Sequence, residues 1–249
     1  MISLQNVIKY ISMMLAIVLA VWVITETVQA IFAVVESVTA WGDGSIQYEK
    51  SYSIKEVRNL NLQVKNCNLV IRADDVEEVV VEYNRKNVEL TLDNRTLKIE
   101  SSIMTGLGKD TINIVITVPR NSMFSDCSCE MDFGTVTLED FNARDVECTV
   151  GMGEVHLKKG RIRSLGISLA VGEVKLYGDL PDTSVMDIGI GNVKADFLSG
   201  KNSVTMKLVC DIGTIKANDK YYRSKDWDKG SKSIHCECGV GSLAINCSK

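Results

Sequence analysis

One motif returns every nineteen residues through the carboxyl-terminal half of the chain, and it constrains the fold more than any other feature. Each copy places an apolar residue, a glycine, a variable residue and a second apolar residue in order, as in Val171-Gly172-Glu173-Val174. The first four glycines are 19 residues apart, and two more copies follow after 22 and 28 residues. The six repeat glycines are Gly134, Gly153, Gly172, Gly191, Gly213 and Gly241. A fixed period of this length is typical of architectures in which each repeat is one structural unit.

The residues that flank each glycine alternate between apolar and polar. Leu165, Ile167 and Leu169 precede Gly172 at odd distances, and Val174 follows it at an even one. Period two predicts strands on both sides, and the change of parity requires the glycine to turn a corner if one face is to stay inward. We therefore expect residues 121–249 to form six coils of strand, glycine corner, strand and return turn. These coils would stack in chain order, about 4.8 Å apart, as a parallel β-solenoid.

An antiparallel sandwich is the alternative, with the glycines in ordinary hairpin turns. Equal spacing favours the solenoid, because equal coils must close after equal lengths of chain. Residues 46–120 lack the period but alternate strongly, as in Leu60–Val64 and Val88–Leu92, and Asp93-Asn94-Arg95 is a turn signal. They predict an irregular or antiparallel β cap over one end of the stack. The expected fold class is all-β, preceded by one long amino-terminal helix.

Residues 1–40 have the pattern of a transmembrane and juxtamembrane helix. The stretch from Leu4 to Ile24 is 21 residues long and has one charge, Lys9, which is close to the roughly 20 residues that span a bilayer. An amphipathic pattern continues to Val35, and residues 41–45 would be a linker. Since acidic residues follow the span, a single-pass membrane anchor with the carboxyl-terminal domain outside the cytoplasm is expected. A cleaved signal peptide and a buried core helix are the alternatives.

The charge of the chain argues against nucleic acid as a partner. The formal net charge is −4 at pH 7, so no broad basic field for binding phosphates is expected. Membrane lipid, through residues 1–40, is the partner that the sequence favours most directly.

Eight cysteines suggest disulfides or zinc, but their positions in the repeat indicate a structural role. Six take odd, inward offsets before their glycines: Cys127, Cys129, Cys148, Cys210, Cys236 and Cys238. Inward thiols behave as small core residues. Stacking would bring Cys129 beside Cys148 and Cys210 beside Cys238, which leaves a bridge open. Zinc is disfavoured because His235 has the opposite parity to Cys236, and a tetrahedral site needs convergent ligands.

One outward column gives a candidate binding surface. His156, Lys175, Lys194 and Lys216 each lie three residues after a repeat glycine. They predict either a basic ridge for an anionic glycan or lipid headgroup, or a solvated face paired with Glu154 and Glu173. The insertion 218–233 contains the aromatic residues Tyr221, Tyr222 and Trp227. These aromatics would contact a partner, such as another envelope protein, or fold back as a lid.

The sequence predicts no catalytic residues, cofactor or metal. The chain has two histidines, both with outward parity, and it lacks a P-loop, HExxH or Ser-His-Asp pattern. Asp132, Asp187 and Asp211 suggest the acidic clusters of β-helical glycan-cleaving enzymes, but they do not share one column.

The run Ile114–Pro119, followed by serial apolar-Gly-x-Val units behind an amino-terminal hydrophobic helix, resembles the bacterial putative-adhesin family of β-strand repeats. The resemblance covers residues 46–249 and implies a surface-exposed, solenoid-like domain without a settled biochemical role. It also implies sensing or scaffolding, because related modules occur in envelope-stress and cell-wall regulatory systems.

The combined expectation is a non-catalytic, membrane-anchored binding or scaffold module of the bacterial envelope that serves adhesion or envelope sensing. Two alternatives stay open: a carbohydrate-active β-helix enzyme that acts on wall or host glycans, and a regulator that contacts a membrane signalling protein through the amino-terminal helix.

Overall fold

The computed structural model describes residues 46–101, 111–198, 204–218, 220–222, 224–227 and 230–248, with backbone alone for 224–227. All the regular structure in these ranges is β-strand, so the all-β class is confirmed. The helix predicted for residues 1–40 and the linker 41–45 lie outside the described residues. Among the residues described, none belongs to a helix with the length and apolarity needed to cross a bilayer.

Long parallel strands form the body of the domain. Each predicted repeat contributes one of them: β7 (Phe124–Glu139), β8 (Ala143–Lys158), β9 (Ile162–Gly178), β10 (Thr183–Phe197), β11 (Val204–Ala217) and β14 (Lys232–Cys247). Neighbours are in register, with Gly134 opposite Gly153, Gly153 opposite Gly172 and Gly172 opposite Gly191. The parallel, solenoid-like arrangement therefore follows the nineteen-residue frame.

Each of these strands must fold back on itself at its glycine. Only residues 140–142 connect β7 to β8, and three residues reach about 11 Å at most. A straight strand of 16 residues would leave a gap of about 50 Å to close. The bend lies at the repeat glycines, whose φ angles run from +132° at Gly134 to +158° at Gly191. The sequence predicts two strands per repeat, whereas the structure has one strand that continues through the bend.

The last two repeats do not stack in chain order, so that part of the prediction is wrong. β14 lies between β10 and β11, with Gly241 opposite Gly191 on one side and Gly213 on the other. The two repeat spacings that differ from nineteen residues precede the two strands, β11 and β14, that are out of chain order. Six residues, 198–203, connect β10 to β11 and give it the reach to skip one position, whereas three connect β7 to β8.

The stack also extends one strand beyond the six repeats. β2 (Asn59–Asp74) runs parallel to β7, and Cys67 lies opposite Gly134. Two shorter strands, β5 (Thr96–Ser101) and β6 (Ile112–Pro119), pair in parallel with the two halves of β2. Cys67 occupies the glycine position, which explains why the glycine pattern does not reveal this strand.

Antiparallel pairs complete both ends. At the amino-terminal end β1 (Tyr48–Ser53) pairs with β3 (Glu78–Tyr83), β3 pairs with β6, and β4 (Val88–Asp93) pairs with β5. At the other end β12 (Lys220–Tyr222) and β13 (Ser224–Trp227) pair with β11. Such covering strands satisfy backbone groups that a bare end would expose.

Candidate functional site

The predicted basic column is only partly continuous. His156, Lys175 and Lys194 are direct neighbours on β8, β9 and β10. Lys216 is not beside Lys194, because Ala244 of the interposed β14 lies between them. A ridge of four adjacent basic residues, as the sequence predicts, is therefore corrected to three neighbours and one separate lysine.

Carboxylates contact two of those neighbours. His156 Nε2 lies 2.7 Å from Glu154 Oε2, and Lys175 Nζ lies 2.8 Å from Glu173 Oε2 and 3.4 Å from Glu154 Oε2. The His156 hydrogen bond lowers the pKa of Glu154 against the opposing effect of burial. Burial opposes the charge of Lys175, yet its carboxylate contacts raise its pKa. In the described part only Lys194 of these three has no ion pair, so the surface fits a paired, solvated face better than a basic ridge.

The aromatic insertion covers the last strand of the stack. β12 pairs with Ile215–Ala217, and β13 pairs with Met206–Val209. Tyr222 packs against the core, whereas Tyr221 is 75% exposed. The backbone of Trp227 lies opposite Met206, and its side chain lies outside the described residues. The backbone pairing corresponds to the lid interpretation, with Tyr221 as its exposed aromatic.

The cysteines lie inside the stack, as their parity predicts. All eight are unbridged, and all but Cys210 are buried. Cys129 lies opposite Cys148, and Cys210 lies opposite Cys238, on neighbouring strands. Burial raises the pKa of Cys148 and of Cys238 to about 12, which removes the thiolate needed for a nucleophile or a metal ligand.

The predicted acidic residues are dispersed along the stack. Asp132 on β7 and Asp211 on β11 share an offset but are separated by four strands. No three side chains of the metal-binding types converge to hold an ion within the described ranges. Carboxylates do meet elsewhere: Glu100, Glu130 and Asp132 line an open cavity of about 330 Å³.

A groove runs along the return turns, and sequence reasoning missed it. It has a volume of about 500 Å³ and runs across the beginnings of β8, β9, β10 and β14. Ile162 and Leu180 form its floor with the half-exposed Met123. Arg161 and Arg163 are among its charged residues. We call it the turn groove.

A second cavity of about 430 Å³ continues the turn groove past Met123, Arg161 and Asp179, which line both. Asn121, Ser122, Asp140 and Asn142 make this second part polar. We include this second cavity in the turn groove, which therefore has one half with an apolar floor and charged sides, called the apolar half, and one polar half. Arg161 and Asp179, an exposed cation and an exposed carboxylate, lie where the halves meet.

Hydrogen bonds hold the backbone at this junction. The Arg161 N–H donates to Asn142 Oδ1 at 2.9 Å, and the Ala143 N–H donates to the Arg161 carbonyl at 3.0 Å. The Asn142 amide donates to the Arg120 carbonyl at 3.2 Å. These hydrogen bonds fix the backbone of Arg161, whereas its guanidinium has no ion pair among the described residues.

A signal for this site exists in the sequence. The nineteen-residue frame that aligns the glycines also aligns Asn142 with Arg161 and Arg144 with Arg163. Applying the frame to the turns, in addition to the strands, would have found the basic side of the turn groove.

Fold and site together define a parallel β-repeat domain with a surface groove. The sequence profile of the Toastrack DUF4097 family matches residues 57–226, which is more than half of the chain. The chain belongs to this family. A comparison with curated proteins gives no match.

Several solved structures resemble the domain. A "putative cell adhesion protein" from Clostridium sporogenes is 14% identical, with a TM-score of 0.51, over 80% of this chain and 98% of its own. A "putative adhesin" from Bacteroides fragilis is 12% identical, with a TM-score of 0.41, over 80% and 96%. A "putative lipid binding protein" from Parabacteroides distasonis is 13% identical, with a TM-score of 0.36, over 84% and 98%. The first likeness supports the fold alone.

Proposed function

We propose that the chain is a non-catalytic binding or scaffold module of the bacterial envelope, anchored by residues 1–40 with its β domain outside the cytoplasm. The turn groove carries the binding part of this proposal. It combines an apolar floor with two charged side chains, Arg161 and Asp179, that have no ion pair among the described residues, and a mostly apolar lining with a few polar groups is typical of a recognition site. The anchor and its orientation rest on the hydropathy and charge of the sequence.

Protease accessibility of intact cells that produce the full chain tests the placement. We expect external protease to degrade the β domain without permeabilisation, while a cytoplasmic control protein survives. Protection of the domain in intact cells, followed by digestion after lysis, would refute the extracytoplasmic placement.

Sedimentation of the purified full chain with isolated cell-wall and membrane fractions tests binding. Wild type is expected to sediment with one fraction and Arg161→Gln less so, whereas Lys194→Gln, an exposed lysine elsewhere on the stack, should behave as wild type. Equal sedimentation of all three proteins would remove the turn groove from the proposal.

A glycan-cleaving enzyme is the second candidate, and one observation favours it. Glu100, Glu130 and Asp132 line a common cavity, and glycoside hydrolysis uses a pair of carboxyl groups. Under this candidate, incubation with wall glycans would release soluble sugars, and Glu130→Gln would abolish the release. Under the leading proposal neither protein releases sugar.

A further inference from the structure

The turn groove also indicates what kind of molecule it takes. We infer that it binds a zwitterionic group, one anion and one ammonium, attached to a short apolar segment. This inference deepens the proposed binding function and rests on it.

Opposite charges without partners stand at the junction of the two halves. Arg161 and Asp179 line both halves, and both are exposed. In the described ranges neither side chain forms an ion pair. They come from successive turns of the stack, since the residue after Asp179 has the same position in the nineteen-residue frame as Arg161, so they are close enough to serve one ligand.

The other basic residues of the groove already have acidic partners. Arg144 Nε lies 2.7 Å from Asp145 Oδ2. Asp182 is shared, with one oxygen 3.9 Å from Arg163 Nε and the other 3.8 Å from Lys232 Nζ. The charge available to a ligand is therefore one guanidinium, supported by the loosely held Arg163, and not a broad basic surface.

This balance selects among ligand classes. A polyanion would meet the carboxylates of Asp140 and Asp179, and like charges at close range oppose binding. A neutral glycan would leave the Arg161 guanidinium without a counter-charge. A zwitterion places its anion on Arg161 and its ammonium on Asp179.

The apolar half accounts for the rest of the ligand. Ile162 and Leu180 form a floor that is otherwise buried, and Met123 is 54% exposed beside them. A volume of about 500 Å³ admits a short apolar segment. Covering the exposed side chain of Met123 removes apolar surface from water and adds to the affinity.

Titration calorimetry of the full chain in a neutral detergent tests the inference with three soluble probes. Dihexanoyl phosphatidylethanolamine is zwitterionic and apolar, dihexanoyl phosphatidylglycerol lacks the ammonium, and glycerophosphoethanolamine keeps the zwitterionic phosphodiester headgroup but lacks the apolar segment. Both lipids are used below their micelle concentrations, and partitioning into detergent is the same for every variant. Comparison of the first and third probes distinguishes a lipid headgroup from a free zwitterion as the source.

We expect wild type to bind dihexanoyl phosphatidylethanolamine most tightly. Arg161→Gln should weaken binding of all three probes about tenfold, the size of one charge-assisted contact. Asp179→Asn should weaken phosphatidylethanolamine binding but strengthen phosphatidylglycerol binding. Lys194→Gln matches the charge lost in Arg161→Gln and should leave every affinity unchanged.

Three results would overturn the inference: equal affinity of wild type for the two lipids, Asp179→Asn affecting both lipids alike, or Lys194→Gln reproducing Arg161→Gln. Thermal unfolding at the wild-type temperature shows that the variants are folded. The probes and variants could show the expected affinities while the β domain is protected from protease in intact cells. That result would refute the envelope placement alone. If the affinities do not follow the expected pattern but the β domain is accessible to protease in intact cells, the ligand class alone is refuted.

Discussion

Gly172→Ala is the sharpest test of the bent-strand architecture. Gly172 has φ +148°, and a Cβ built there would lie 1.8 Å from the Gly153 carbonyl oxygen. That backbone region costs a non-glycine residue about 1–3 kcal/mol. Relieving the overlap requires the ladder to shift, and each backbone hydrogen bond lost there costs about 1 kcal/mol. We expect the free energy of unfolding to fall by about 2–5 kcal/mol, taking the strain and one or two lost ladder bonds together.

The same strand offers a matched control. A Cβ at Gly166 would find its nearest neighbour, Glu147 Cγ, at 3.8 Å, an ordinary contact. Gly166→Ala should therefore stabilise the domain slightly, by about 0.4–1 kcal/mol, because it restricts the unfolded chain. Urea unfolding of the full chain in neutral detergent, followed by far-ultraviolet circular dichroism, measures both variants. The two variants could differ by less than about 1 kcal/mol in their free energies of unfolding, which is the size of an ordinary surface-substitution effect. In that case the bend does not depend on glycine.

Three further outcomes follow from single side chains. The buried Ser184 hydroxyl has no hydrogen-bond partner among the described residues, so Ser184→Ala should raise the free energy of unfolding by about 1 kcal/mol and with it the urea midpoint; a lower midpoint would show that the hydroxyl is bonded. Cys210 should react with iodoacetamide in the native protein before Cys67, because burial raises the pKa of the Cys67 thiol and shields it; mass spectrometry after brief labelling would detect the reverse order. The folded state depresses the pKa of Glu154, so its stabilising effect exists above the unfolded pKa and is lost as pH falls through the folded one. Glu154→Gln should flatten that loss, by less than about 1 kcal/mol because the carboxylate is partly exposed to solvent, and parallel acid-unfolding curves for the two proteins would contradict it.

The architecture of the stack could be predicted because it follows from local chemistry repeated at equal distances. A glycine at each bend and alternation on both sides are properties of single repeats, so Gly153 and its neighbours in sequence suffice to place the next coil. The inward position of Cys129 and Cys148 follows from the same parity. The sequence did not predict that β2 belongs to the stack, because Cys67 takes the glycine position in this strand.

Order and surface could not be predicted in the same way. A longer connection before β11 shows that extra chain is present, but not that β14 will occupy the vacant position, because that depends on packing among distant strands. This exchange separates Lys194 from Lys216. The turn groove needs Arg161 and Asp179 from successive turns together with Met123 from an earlier one, and no contiguous stretch of sequence contains that combination.

The interposed β14 is the strand that links β11 to the rest of the sheet. Among the described strands, β11 forms no ladder with β10, and its backbone hydrogen bonds to the body of the stack run through β14. During synthesis β11 is made before β14. One edge of β11 therefore stays unpaired until β14 has been made and inserts beside it. Assembly at this end therefore cannot be vectorial. Removing β14 would detach β11 together with its covering strands, and the edge of β10 would then be open to foreign chains.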